Sequence, residues 1–154
     1  MMTLCSDVLS ALTGRTLATA ESCTGGGIGA LITAVPGASK VYKGGVISYT
    51  NEIKARCLGV DPAVLEHYGA VSEPVAAAMA TGARKLLEAD VAISVTGLAG
   101  PGGDEFGNPV GTVYIGYADK NRTVVKHFCF EGDREAVRRQ AIRGALELIM
   151  EASQ

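Results

Sequence analysis

Apolar positions along this 154-residue chain switch repeatedly between a helical period and a strand period. Leu4, Val8, Leu9 and Leu12 share one helical face, which Gly14 closes off. Residues 16–21 then read as a short strand. Ile28, Leu31, Ile32 and Val35 recur at i, i+3, i+4 and i+7, a second amphipathic helix ended by Pro36-Gly37. Residues 41–49 read as a second strand, in which Gly44-Gly45 marks a bulge or a close backbone approach. A short helix is expected over 51–59. Another starts at Asp61-Pro62, an N-cap followed by proline at the first helical position. Ser72-Glu73-Pro74 opens a further helix in a similar way, running to Glu88.

Val91 to Thr96 is a short apolar run suited to a strand covered on both faces. Residues 110–118 and 122–130 alternate as strands around Asp119-Lys120-Asn121, a hairpin-like connection. Asp133 caps a long last helix with Val137, Ala141, Ala145, Leu148 and Ile149 on one face. The order αβαβαααβββα predicts an α/β fold, a three-layer α/β/α sandwich. Its sheet is mixed and mostly parallel, with one antiparallel strand near an edge. No linker, composition break or internal repeat divides the chain, so residues 1–154 read as a single domain.

Composition sharpens this picture. The chain holds 20 glycines, nearly twice the ordinary share of roughly 7%. With 47% apolar residues and five prolines, that excess is neither collagen-like nor a disordered linker. Charged residues make up 19% and the net charge is -2, which argues against a nucleic-acid partner, as does a 5% aromatic share. No apolar run approaches the ~20 residues of a membrane span. The first fifteen residues lack the basic start and apolar core of a signal peptide. Cys5, Cys23, Cys57 and Cys129 are scattered, and neither His67 nor His127 completes a zinc-type spacing. They read as buried, reduced thiols of a cytoplasmic protein, and no metal site is expected.

Ligands of open α/β sheets gather at the carboxyl ends of the strands, and three loops there carry candidate chemistry. The first, Ala20-Glu21-Ser22-Cys23-Thr24-Gly25-Gly26-Gly27, leads from strand into helix. Its glycines allow close backbone approach, and the helix N-terminus offers N–H groups to an anion. A Ser22 hydroxyl there would sit beside donors able to form an oxyanion hole. Alternatively, Ser22 or Thr24 simply caps the helix. In the second loop, Tyr49 and Lys54 could face one crevice. A desolvated lysine loses its proton near neutral pH and can serve a serine as base, whereas a solvated lysine would only decorate the helix. The third loop, Thr96 with the glycine cluster up to Gly103, either wraps a phosphate or ribose or is a surface loop. It matches no dinucleotide or P-loop pattern. Arg134, Arg138, Arg139 and Arg143 form a basic stripe, mostly solvated, with Arg134 at the helix start able to reach an anionic ligand. No histidine falls in these loops, which raises the standing of lysine as a base.

Five segments together resemble the CinA C-terminal domain family, over nearly the whole chain and in family order. They are Ala20 to Gly26, Tyr49 to Lys54, Gly69 to Pro74, Thr96 to Pro101 and Pro109 to Val113. The family includes stand-alone nicotinamide-nucleotide amidases of the PncC type, and longer members that add a region resembling molybdopterin-binding proteins. The present chain resembles the stand-alone form. The resemblance implies a three-layer sandwich with a five-stranded sheet, and hydrolysis of nicotinamide mononucleotide to nicotinate mononucleotide and ammonia in pyridine nucleotide recycling. It implies a metal-independent serine amidase without a cofactor. Ser22 would be the nucleophile, Lys54 its base, and Tyr49 an aid to proton transfer or a group polarising the lysine. Thr24, Gly25, Gly26, Thr96, Gly97 and Arg134 would surround the substrate, with Arg134 or the helix N-terminus holding its phosphate. Thr96-Gly97 departs from the Ser-Gly of other members but keeps the hydroxyl.

Cys23 is intrinsically the stronger nucleophile, but one residue further into the turn it would face away from a ligand that Ser22 faces. The competing reading is a non-catalytic nucleotide-binding or regulatory module tied to competence or DNA damage; retention of Ser22, Tyr49 and Lys54 favours the enzyme. The expected partner is a small pyridine nucleotide, with no membrane, and an apolar chain of this size is compatible with a homo-oligomer. Nine of the glycines cluster around the first and third loops, where the backbone is expected to approach a substrate.

Overall fold

The computed structural model describes residues 1–154. Its elements follow the expected order. They are α1 (Met2–Ala11), β1 (Leu17–Glu21), α2 (Gly27–Thr33), β2 (Tyr42–Ile47), α3 (Asn51–Leu58), α4 (Pro62–Tyr68), α5 (Glu73–Leu87), β3 (Val91–Gly97), β4 (Thr112–Ala118), β5 (Thr123–Cys129) and α6 (Arg134–Ala152), plus one 3-10 turn at Ala38–Lys40 before β2. The five strands lie in the order β2-β1-β3-β4-β5. β1 pairs in parallel with β2 and β3. β4 is antiparallel to both β3 and β5, so one reversed strand sits next to the edge. Opposite Leu17 and Ala18 the register on β2 jumps from Tyr42 to Gly44, the bulge that Gly44-Gly45 foreshadows.

Strand alternation divides the core between two layers. Leu17, Val91, Ile93, Val95, Val113, Ile115 and Tyr117 face α1, α2 and α6. Ala18, Ala20 and Ala92 face α5 and the α3–α4 region. The two faces differ in side-chain size, and that difference sets the helix spacing. Where strand residues are small, α5 comes so close that a Cβ on Gly116 would stand 2.6 Å from the Ala76 carbonyl oxygen. The buried Ser94 hydroxyl is satisfied by donating to that carbonyl at 2.6 Å. Each fully buried Ile or Leu on the other face contributes roughly 2 kcal/mol from apolar burial. β4 is buried along nearly its whole length instead of alternating, because α5 covers one face and α6 the other.

Local signals set most helix ends. Thr50 accepts from the Ile53 N–H and starts α3, and Gly59, at φ 69°, ends it. Asp61 and Asp133 accept from the N–H groups of Ala63 and Ala136 to start α4 and α6. Ser72 behaves differently: it occupies the N-cap position of α5 but donates its hydroxyl back to the Gly69 carbonyl at 2.8 Å. The tight turn at 119–122 forms around Asp119, which accepts from the N–H groups of Asn121 and Arg122. All four cysteines are free. Cys5 and Cys23 are buried as expected, whereas Cys57 is half-buried and Cys129 exposed, because β5 is an edge strand with an open face. No helix is long and apolar enough to cross a membrane.

Candidate active site

Strand order decides where the candidate loops meet. From β1 the chain crosses by α2 to β2, and from β2 it returns across β1 through α3, α4 and α5 to β3. The loops leaving β1 and β2 therefore diverge to opposite faces, and a crevice opens at the carboxyl ends of these adjacent strands. Ser22 directly follows β1 there, with its N–H donating to the Val95 carbonyl of β3 at 3.0 Å. Thr50 and α3 follow β2 on one side, and the start of α6 closes the crevice from the other.

Ser22 and Lys54 are brought together across 32 residues of sequence. The Lys54 side chain is 1% exposed, and its Nζ lies 3.0 Å from Ser22 Oγ. Two more acceptors surround the amine, the main-chain oxygens of Ser48 at 2.9 Å and Tyr49 at 3.1 Å. Burial brings the Lys54 ammonium down from its ordinary 10.5 to about 8, with Cys23 opposing. The geometry suits both protonation states. An ammonium donates to all three oxygens; a neutral amine keeps two N–H groups on the carbonyls and turns its lone pair toward the Ser22 hydroxyl.

Tyr49 serves this cluster through its main chain. Its phenol points outward, the residue is 59% exposed, and the hydroxyl accepts from Arg134 Nη2 at 3.3 Å. Tyr49 and Lys54 thus face away from each other, one to the rim and one to the interior. Arg134 also donates to the Gly100 carbonyl at 2.6 Å, so its guanidinium bridges the second and third loops at the crevice mouth. Thr96 is 1% exposed and donates to the Ala70 carbonyl at 2.8 Å, which joins β3 to the segment before α5. Gly97 follows it at the end of β3.

The start of α2 holds a residue that reading of the sequence passed over. Glu21, buried at the end of β1, accepts from Thr24 Oγ1 at 2.7 Å and from the N–H groups of Ile28 and Gly29 at 2.9 and 3.1 Å. The protein's own carboxylate takes the N–H groups of Ile28 and Gly29 and the Thr24 hydroxyl, so these are not open to a phosphate, whereas the main-chain N–H groups of Thr24 and Gly26 remain without an oxygen acceptor. The alternation of β1 could have revealed this: Leu17, Thr19 and Glu21 point to the α2 side, and a carboxylate aimed at a helix start is a cap. The glycines of this turn are largely accounted for in the same way. Gly25 and Gly26 adopt φ 58° and 98°, and a Cβ on Gly27 or Gly29 would stand 2.7 Å from Ile142 or the Tyr42 hydroxyl.

Cys23 packs into the core beside α6, on the side away from Lys54. Burial pushes its thiol up to about 11, against its own main-chain N–H and the charges of Lys54 and Arg138, so it stays protonated at neutral pH. Of the basic stripe, Arg139 and Arg143 are exposed, the latter paired with Glu147 at 2.8 Å. Arg138 is half-buried and donates from Nε to the Cys23 carbonyl at 3.0 Å and from Nη2 to the Thr24 carbonyl at 3.2 Å. Its spacing of four from Arg134 is the signal that both share one face. The N–H groups of Cys23, Thr24 and Gly26 donate to no oxygen of the protein.

A cleft of about 1190 Å³ lies beside this cluster, between the outer side of α3, α4 and the 98–106 loop. Neither Ser22 nor Lys54 lines it, and its rim carries Glu52, Glu66 and Glu105 with a single arginine, Arg56. Arg56 is itself paired with Glu52 at 3.1 Å. Such a rim repels a phosphate, whereas the crevice mouth near Ser22 presents the Arg134 guanidinium. No group of three or more His, Cys, Asp or Glu side chains is arranged to hold a metal ion.

Comparison with known proteins matches residues 2–153 to the CinA C-terminal domain. A CinA-like protein of Thermosynechococcus vestitus is 51% identical over 138 residues, 88% of this chain but 33% of that protein. The chain thus spans about a third of the length of such CinA-like relatives. The nicotinamide-nucleotide amidohydrolase PncC of Escherichia coli K12 is 46% identical over 137 residues, covering 88% of this chain and 83% of that enzyme. Among solved structures, a CinA superfamily protein of Escherichia coli superposes with a TM-score of 0.95 at 40% identity, over 97% of this chain and 88% of that one. A competence/damage-inducible protein of Agrobacterium tumefaciens gives 0.96 at 36% identity, over 99% and 95%.

Proposed function

The chain belongs to the CinA C-terminal domain family, and from that membership and its site geometry we propose that it is a nicotinamide-nucleotide amidohydrolase. Its substrate is nicotinamide mononucleotide, and its products are nicotinate mononucleotide and ammonia. The observation that carries this reading is the 3.0 Å contact between Lys54 Nζ and Ser22 Oγ, a nucleophile paired with an amine whose burial favours the neutral form.

In the proposed reaction, neutral Lys54 takes the Ser22 proton as Oγ bonds to the carboxamide carbon. The carbonyl π electrons move to oxygen, and the Cys23 N–H, which has no oxygen acceptor in the protein, meets the oxyanion. Protonated Lys54 then gives its proton to the amide nitrogen; the C–N bond breaks and ammonia leaves. Water, deprotonated by Lys54, attacks the acyl-serine, and collapse returns the Ser22 hydroxyl and releases the carboxylate. Tyr49 contributes the main-chain carbonyl that orients the amine, and its phenol helps aim Arg134 at the substrate phosphate. Gly25 and Gly26 shape the nucleophile turn, while Thr96 and Gly97 support the opposite wall from β3. No step calls for a metal or cofactor, and the residues assigned to it all lie within this one domain, read as a cytoplasmic enzyme.

The test is ammonia release from nicotinamide mononucleotide by the purified protein in EDTA. Turnover that EDTA leaves unchanged is expected. No release by well-folded wild-type protein would overturn the assignment.

A further inference from the structure

We propose that Arg138 is a positioning residue of this site, acting through two peptide groups on the Cys23 N–H that receives the oxyanion. The proposal rests on the amidase reading, with Ser22 as nucleophile.

Arg138 stands on α6, on the opposite side of the sheet from α3 and Lys54. It forms no ion pair with a carboxylate; its guanidinium is spent on the carbonyls of Cys23 and Thr24. A trans peptide group is planar, so its C=O and N–H point in opposite directions. With the Thr24 carbonyl drawn toward α6, the Gly25 N–H of the same peptide points away from α6. It donates to the Ser22 carbonyl at 3.1 Å. That bond in turn aims the Cys23 N–H, which shares a peptide with the Ser22 carbonyl, onward from α6.

The result is a directed chain from the guanidinium through Thr24 O, Gly25 N–H, Ser22 O and Cys23 N–H to the substrate oxygen. Each bond polarises the next, and the chain starts from a full positive charge, so Cys23 N–H becomes a stronger and better-oriented donor. This explains why a half-buried arginine is held on two carbonyls without a carboxylate, and why the residue after the nucleophile has an N–H without an oxygen acceptor in the protein.

The experiment uses the full chain with Arg138→Gln and Arg138→Lys, each checked for native circular dichroism and unfolding. Removing an oxyanion donor outright costs about 100- to 1,000-fold in kcat; here the donor remains but is weakened, so Arg138→Gln should lose about 10- to 100-fold. KM for nicotinamide mononucleotide should stay within about threefold, since the ground-state carbonyl makes little use of the donor. Arg138→Lys, which keeps the charge, should recover part of the rate, and the Cys23 amide proton should move upfield in Arg138→Gln. A kcat within about threefold of wild type in Arg138→Gln overturns the proposal, as does a loss shared equally by both variants in step with lost stability. If wild type releases no ammonia, the amidase reading fails by itself. The Cys23 amide resonance then decides Arg138, and an unmoved resonance overturns its role.

Discussion

The pH dependence of the Ser22–Lys54 pair is the sharpest consequence of the structure, because one cause sets both rate and stability. Burial lowers the Lys54 ammonium from 10.5 to about 8. At pH 7 about a tenth of the lysine is then neutral, against about one part in 3,000 without the shift, a gain of roughly 300-fold in free base. The pH profile of kcat/KM, followed by ammonia release between pH 6 and 10, should rise tenfold per unit and level off above about 8. The same shift costs stability. Folded Lys54 titrates near 8 and unfolded Lys54 near 10.5, so between those values the unfolded chain holds more protons and stability rises with pH. Below 8 both states are protonated and the full cost, about 3 kcal/mol, is carried. Urea unfolding of wild type and Lys54→Met should therefore show wild type gaining on the variant by about 3 kcal/mol from pH 8 to 10.5. A profile levelling below pH 7 or still rising past 9.5, or a stability difference flat with pH, would refute the reasoning.

Four further substitutions separate the roles of neighbouring groups. Ser22→Ala should lose at least about 1,000-fold in ammonia release, whereas Cys23→Ala should stay within about tenfold and unfold within about 2 kcal/mol of wild type; retained activity in Ser22→Ala would dismiss the serine. Glu21→Gln removes the charge that holds the first N–H groups of α2 and should cost about 1–3 kcal/mol in urea unfolding, so unchanged stability would contradict its capping role. Gly82→Ala would put a Cβ against the Leu58 main chain, 2.9 Å from its carbonyl carbon, at the end of the helix that carries Lys54. About 1–3 kcal/mol of stability and about tenfold or more in turnover should be lost together, and a variant with both intact would show that α3 tolerates displacement.

Legibility followed the range of the interaction. Helix and strand order came from period alone, and helix starts at Asp61 and Asp133 from capping chemistry within three residues. The Ser22 and Lys54 loops stood out by residue type and by family resemblance. Their 3.0 Å contact depends on β1 and β2 being adjacent in the sheet, which no local pattern encodes. Glu21 has no role in the sequence reading and Arg138 counts there only in a mostly solvated stripe, because each looks ordinary in sequence. One gains its role from where a strand aims it, the other from carbonyls more than 110 residues away. The glycines of the first loop, expected to bring the backbone close to a substrate, also answer the packing of Ile142 and Tyr42 against Gly27 and Gly29 and the positive φ of Gly25 and Gly26.

By itself, then, the sequence determined the elements and the α/β class, since periodicity and capping act over a few residues, while the family came from the resemblance of five segments. Tertiary structure alone decided that Lys54 is buried, that Tyr49 turns its phenol outward, that Glu21 accepts from the first turn of α2 and that Arg138 reaches the turn after Ser22. Desolvation and hydrogen-bond direction depend on which distant segments pack around a group, and the order of strands in the sheet sets that.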